Sequence, residues 1–205
     1  MKTKKTFILH IIFIYAITIA SFAGAASAPT EELKASIDFI LEILRDKNLA
    51  QPDKKMERRS RISVLIRDRF DFQEMAKRSL AANWKTRSSE EQKEFVEIFS
   101  DLLQSSYIGK IEGYTDEKIT YDKEVLKKEG KYGVVSTTII TKDVNIPIDY
   151  KLILKNDKWW VYDVVVEGVS FISTYRSQYD KVIKKESYAK LIEKMKTKLD
   201  EINAL

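Results

Sequence analysis

The sequence predicts an α+β domain: helices, then an antiparallel meander sheet of about four strands, then helices again, with the helices covering one face of the sheet and an apolar cavity between the layers. Three observations carry this. Apolar residues recur at i, i+3 and i+4 from about residue 30 to 109. From Lys118 the apolar period shortens to two, through about residue 166. After Gly168 the helical spacing returns and holds to the end of the chain.

Thr30 followed by Glu31 and Glu32 reads as an N-cap with an acidic first turn, and Leu33, Ile37, Ile40, Leu41 and Leu44 form the stripe of a helix ending near Asp46. Pro52-Asp53 opens a second helix. Its buried side is expected from Val64, Leu65 and Ile66, and Arg58-Arg59-Ser60-Arg61 is expected as a solvated face. Phe70-Asp71-Phe72 starts a short third helix with Phe72, Met75, Ala76 and Leu80 on one side. Ser88 with Glu91, or Ser89 with Gln92, makes a capping box. The long helix behind it carries Phe95, Ile98, Phe99, Leu102, Leu103 and Tyr107 to about Gly109.

In the sheet region Ile119, Tyr121 and Val125 alternate with polar residues, and Gly130 marks a hairpin turn. Residues 134–141 are rich in Val, Thr and Ile, and residues 146–152 alternate clearly. Asn156-Asp157 is a further turn before a strand over residues 159–166. Pro147 cannot donate to a ladder, which predicts an edge strand or a bulge there. Gly168 permits a tight turn before a helix begun by Ser170. Ile172, Tyr175, Tyr179 and Ile183, then Tyr188, Leu191, Ile192, Met195 and Leu199, mark the closing helices. No repeat or linker divides residues 26–205, which read as a single domain.

The 205 residues carry a formal charge of +5 and include one histidine and no cysteine. The start of the chain corrects those counts. Met1-Lys2-Thr3-Lys4-Lys5, an apolar run over residues 7–22 and Ala23-Gly24-Ala25-Ala26-Ser27-Ala28 have the order of a secretory signal peptide. Cleavage after Ala25 is expected, because the alternative after Ala28 would set the rigid ring of Pro29 at the cut. The apolar run is shorter than the roughly 20 residues of a spanning helix. Removing residues 1–25 removes Lys2, Lys4, Lys5 and His10; the remaining Lys and Arg exceed the 31 Asp+Glu by two, a mature charge of +2. That small charge argues against nucleic acid as a partner.

Without His or Cys, the mature chain cannot build a Ser-His-Asp or Cys-His nucleophile, a zinc site of imidazole or thiolate, or a thiol redox centre. No Gly-rich phosphate loop or Asp-rich calcium loop is present. Phe72, Phe95, Phe99, Tyr107, Tyr150, Tyr162, Phe171, Tyr175 and Tyr179 fall on inward stripes. They suit an aromatic core or the wall of an apolar cavity.

Phe70-Asp71-Phe72, Met75, Leu80, Trp84, Gln92, Phe95, Phe99, Leu103 and Tyr107 resemble the helical half of the periplasmic phospholipid-binding MlaC family, also called the toluene-tolerance family. In the second half, Ile148-Asp149-Tyr150, Trp159-Trp160-Val161-Tyr162-Asp163-Val164, Val166-Glu167-Gly168-Val169-Ser170 and Tyr175-Arg176-Ser177-Gln178-Tyr179 agree with it more specifically. The resemblance spans about residues 30 to 190 and implies an auxiliary component of an ABC transporter. This would be a non-enzymatic phospholipid carrier of the periplasm, shuttling lipid between an inner-membrane ABC permease complex and an outer-membrane lipoprotein–porin complex to maintain outer-membrane lipid asymmetry. No cofactor is implied beyond bound phospholipid as ligand, and membrane contact would be transient, through the partners.

The residues expected against the lipid tails are Phe95, Phe99 and Leu103 on the long helix, Ile146, Ile148, Tyr150 and Leu152 on one strand face, and Val164, Val166, Val169 and Ile172 around the last strand-to-helix corner. No basic residue immediately precedes Asp149, so that strand offers no charged phosphate contact just before Asp149. Arg176 is expected to pair with a carboxylate or a helix C-terminus. Two other readings compete: an exported chaperone or interaction module using the same apolar surface, and a hydrolase built on Asp163 and Glu167.

Overall fold

A computed structural model describes residues 27–114 and 117–204; the expected signal peptide and its cleavage site lie outside them. Helix α1 (Pro29–Arg45) begins two residues earlier than a Thr30 cap implies, with Ala28 as N-cap. Thr30 therefore lies inside the first turn. Its N–H and hydroxyl both donate to the carboxylate of Glu124 in the sheet, so an acceptor 94 residues away does the work of a side-chain cap.

After a 3₁₀ turn at Pro52–Lys54, α2 (Lys55–Arg69) buries Ile62, Ile66 and Arg69. Val64 is not on the buried side: it is 63% exposed, because the inward phase of the helix is set by residues 62, 66 and 69. Of the run expected to be solvated, Ser60 and Arg61 are exposed, but Arg58 and Arg59 are half-buried. Arg58 donates twice to Oε1 of Glu112 (2.9 and 3.1 Å) and Arg59 twice to Oε2 (2.8 and 2.9 Å). One carboxylate thus ties the start of α2 to the end of α4.

Helix α3 (Phe72–Leu80) is capped by Asp71, which accepts from the Glu74 N–H. A 3₁₀ stretch (Ala81–Thr86) leads to α4 (Ser89–Glu112), whose capping box is the Ser88/Glu91 pair. Five strands follow: β1 (Lys118–Lys127), β2 (Tyr132–Ile140), β3 (Asn145–Lys155), β4 (Lys158–Val166) and the two-residue β5 (Val169–Ser170). They form one antiparallel sheet in sequence order. The turns at Asn156-Asp157 and Glu167-Gly168 place both central residues at positive φ, as tight two-residue hairpins require. Helices α5 (Phe171–Lys185) and α6 (Tyr188–Asn203) complete the chain.

Two bulges decide which side chains face the helices. An extra residue, Asp122, interrupts the β1–β2 register, and Tyr162 does the same between β3 and β4. Each reverses the alternation beyond it. Ile119 and Tyr121 face the helices, but past the bulge Glu124 and Leu126 do, and Val125 moves to the other face. On β4, Trp159 and Val161 share the helical face with Val164 and Val166.

Pro147 lies on neither an edge nor a bulge. β3 is internal, and the ring nitrogen of Pro147 faces the point where β4 is already turning away. There only its carbonyl is used, accepting from the Glu167 N–H at 3.0 Å. Gly133 has a spatial reason: a Cβ there would meet Pro29 at 3.2 Å and Trp159 at 3.3 Å, so its absence lets α1 sit on the sheet.

The apolar interior has two parts. Ile62, Met75, Phe95, Phe99, Ile172 and Leu191 belong to a helical cluster; Leu33, Val135, Leu152, Trp159, Val161 and Val164 form a second on the sheet. Arg176 donates from Nε to the carbonyl of Arg78, near the C-terminus of α3.

Candidate functional site: an apolar cavity between helices and sheet

A cavity of about 410 Å³ lies between the two clusters. The stripe of α1 (Leu33, Ile37, Ile40, Leu41 and Leu44) makes one wall. Past Leu33 these residues are only half-buried, because they face open space rather than packed atoms. Leu65 and Ile66 of α2, and Leu103, Tyr107 and Ile111 of α4, form the second wall. The sheet supplies the floor through Ile119, Ile139, Ile146, Ile148, Tyr150, Val164 and Val166, which strand alternation and the β4 bulge bring to one face. Phe171, at the start of α5, stacks on Tyr107 with ring centroids 4.6 Å apart and closes one side. The volume is within the roughly 300–1,000 Å³ common for small-molecule sites.

One end is sealed by Arg69, 9% exposed. Its Nη1 donates to Glu32 and to the Trp159 carbonyl (2.7 Å), and its Nε to Ser36 Oγ (2.8 Å). The Trp159 N–H donates to the same Glu32 carboxylate at 3.1 Å. Burial by itself would raise the Glu32 carboxyl. Hydrogen bonds from Ser27, Arg69 and Trp159, together with the Arg69 charge, hold it below the ordinary range instead. This cation serves the fold: it locks α1, α2 and β4 together where the cavity ends.

The opposite end is open. Lys110 and Gly113 at the end of α4 are exposed and line the cavity, with Tyr114, Glu117 and Thr141 beside them. The Tyr114 hydroxyl donates to the Glu117 carbonyl (2.6 Å) and accepts from Arg45 (3.3 Å). The Thr141 hydroxyl donates to the Val144 carbonyl (2.7 Å). Inside, Gln104 is bound to Ser100 and Ser63, and the Thr137 hydroxyl donates to the Ile148 carbonyl. Burial pushes the Tyr150 phenol up to about 12, so this lining residue stays neutral at any physiological pH. The interior is therefore lined by hydrocarbon, and Gln104, Ser63, Ser100 and Thr137 are engaged by hydrogen bonds within the protein, so it can hold an apolar ligand.

Of the residues expected at the site, Leu103, Ile146, Ile148, Tyr150, Val164 and Val166 come together around this cavity. Phe95, Phe99 and Ile172 do not; they are buried in the helical cluster, where both phenylalanines meet Tyr179 edge-on. Leu152 is packed beneath Leu33 and Trp159 in the sheet cluster. Val169 is 60% exposed on β5. The whole wall from α1 is absent from the expected set. Its amphipathic stripe was a visible signal, but a stripe does not say whether it meets side chains or a void.

Asp163, half of the carboxylate pair considered for hydrolysis, is buried on the other face of the sheet. There it accepts from Lys151 Nζ (2.9 Å), Ser170 Oγ (2.7 Å) and the Ile172 N–H (3.2 Å), which anchors the β4–α5 corner. Among the described residues, no cluster of three or more His, Cys, Asp or Glu side chains could hold a metal ion, and no helix is long and apolar enough to cross a membrane.

The family model described as MlaC protein matches residues 34–197. The Intermembrane phospholipid transport system binding protein MlaC of Haemophilus influenzae is 21% identical over 203 residues, covering 95% of this chain and 93% of that one. The fold is similar to that of the phospholipid-binding protein from Ralstonia solanacearum, solved in complex with a phospholipid. The TM-score is 0.75 at 19% identity, covering 86% of this chain and 99% of that one.

Proposed function

The chain belongs to the MlaC family, and from that premise we propose that it is a periplasmic phospholipid carrier whose cavity encloses the acyl chains and leaves the head group at the open end. The observation that carries the reading is a hydrocarbon-lined cavity, closed by a spent cation at one end and open to solvent at the other. Two acyl chains of about sixteen carbons, at roughly 0.8 kcal/mol per CH₂, cost more than about 20 kcal/mol to leave in water. A soluble carrier must therefore cover them.

The tail contacts are assigned to the six expected residues that line the cavity and to the α1 stripe. The carrier performs no catalytic step. It receives and delivers lipid at an inner-membrane ABC permease complex and an outer-membrane lipoprotein–porin complex, and the relatives support this: one is named for intermembrane phospholipid transport and another was solved with a phospholipid bound. The test is native mass spectrometry of protein purified from the periplasm without detergent. Near-stoichiometric phospholipid is expected. A protein that emerges lipid-free overturns the reading and favours a chaperone-like use of the same surface.

A further inference from the structure

We propose that Lys110 is the phosphate-binding residue of this site, fixing the phosphodiester of a bound lipid at the mouth of the cavity; the inference rests on the carrier reading above. Among the described residues two cationic side chains line the cavity, Arg69 and Lys110. Arg69 is at the closed end with its donors consumed by Glu32, Ser36 and the Trp159 carbonyl. Lys110 is exposed at the open end, and among the described residues its contact is with a ring and not with a carboxylate: the ammonium stands 5.5 Å from the centroid of Tyr107, itself a lining residue. The neighbouring hydroxyls of Tyr114 and Thr141 already donate to backbone carbonyls.

Three ammonium N–H donors are thus held over the aromatic wall at the point where a tail-bound lipid surfaces, and no other lining cation is available to its phosphate. The contact comes from the helical wall. The facing strand has Ile146, Pro147 and Ile148 ahead of Asp149 and offers no base there. Glu117 lies on the same rim, and a carboxylate there favours a single phosphodiester over a polyanionic head group.

The test loads the mature protein from vesicles holding equimolar phosphatidylglycerol and diacylglycerol with the same acyl chains, at low ionic strength, and quantifies both lipids on the re-isolated protein. Diacylglycerol loading reports the cavity alone; the ratio of the two reports recognition of phosphate. Lys110→Gln is expected to lower the ratio about tenfold with diacylglycerol loading unchanged, as suits a charge-assisted hydrogen bond in partly screened surroundings. Lys110→Arg keeps it within about twofold, and so does Lys142→Gln, an exposed lysine outside the cavity lining. If Lys110 serves only the C-terminus of α4, the Gln variant changes melting temperature and leaves the ratio alone, which overturns the assignment while the cavity reading stands. Loading of neither lipid by the wild-type protein overturns both.

Discussion

Arg69 occupies a position where helical phase calls for an apolar side chain, and its partners explain why the fold accepts it. Four hydrogen bonds through it and Glu32 join α1, α2 and β4, so removing the cation leaves a nearly buried carboxylate without its counter-charge. Arg69→Met is expected to lower unfolding free energy by about 3 kcal/mol, read as a shift of the urea midpoint. Acid acts on the same pair. Against the opposing effect of burial, Glu32 is held below its ordinary 4.5 by Ser27, Arg69 and the Trp159 N–H, and Glu112 by Arg59 and Arg58, so their stabilisation is present above that value and is lost as pH falls below it through the depressed folded-state values. Urea midpoints taken from about pH 6 to about pH 3 should fall along this limb, and part of the fall should vanish in Arg69→Met. A flat profile in the parent protein would contradict the pairing. None of this was legible in the sequence: an arginine at the end of a basic helix reads as solvated until its partners, one of them 37 residues away, are known.

The elements themselves were legible where the chain carries local punctuation. The Ser88/Glu91 box, the Asn156-Asp157 turn and the Ser170 cap each use short-range chemistry, and each stands where its residues place it. Long-range dependence is what the sequence hides. Thr30 looks like a cap but donates to Glu124, and the alternation of β1 and β4 breaks at bulges that no residue announces. Strand parity also yields a test of the site. Ile148 points into the cavity and Val169 into solvent, so Ile148→Glu is expected to cut co-purifying phospholipid severalfold, whereas Val169→Glu leaves it unchanged. Circular dichroism checks that both variants stay folded. The reverse ranking would move the tails toward the β4–α5 corner.

For the molecule as a whole, the change of period at Lys118 and its return after Gly168 were enough to give the layered α+β fold. The cavity was not readable, because it depends on how far α1 stands off the sheet. That distance is set by Pro29 against Gly133 and by the Arg69–Glu32 pair. A half-covered wall implies that the empty carrier is less stable than the loaded one. Lipid at about one hundred times its dissociation constant adds about 2.7 kcal/mol, so stripping it should lower the melting temperature by about 5–10 °C in a domain of this size; calorimetry before and after delipidation measures it. The Arg69 plug has one more consequence. Among the described residues the exposed part of the lining lies at the end opposite Arg69, so cargo is expected to enter and leave past Lys110. Loading and unloading are then expected to share that rim, so one lipid has to leave before the next can enter.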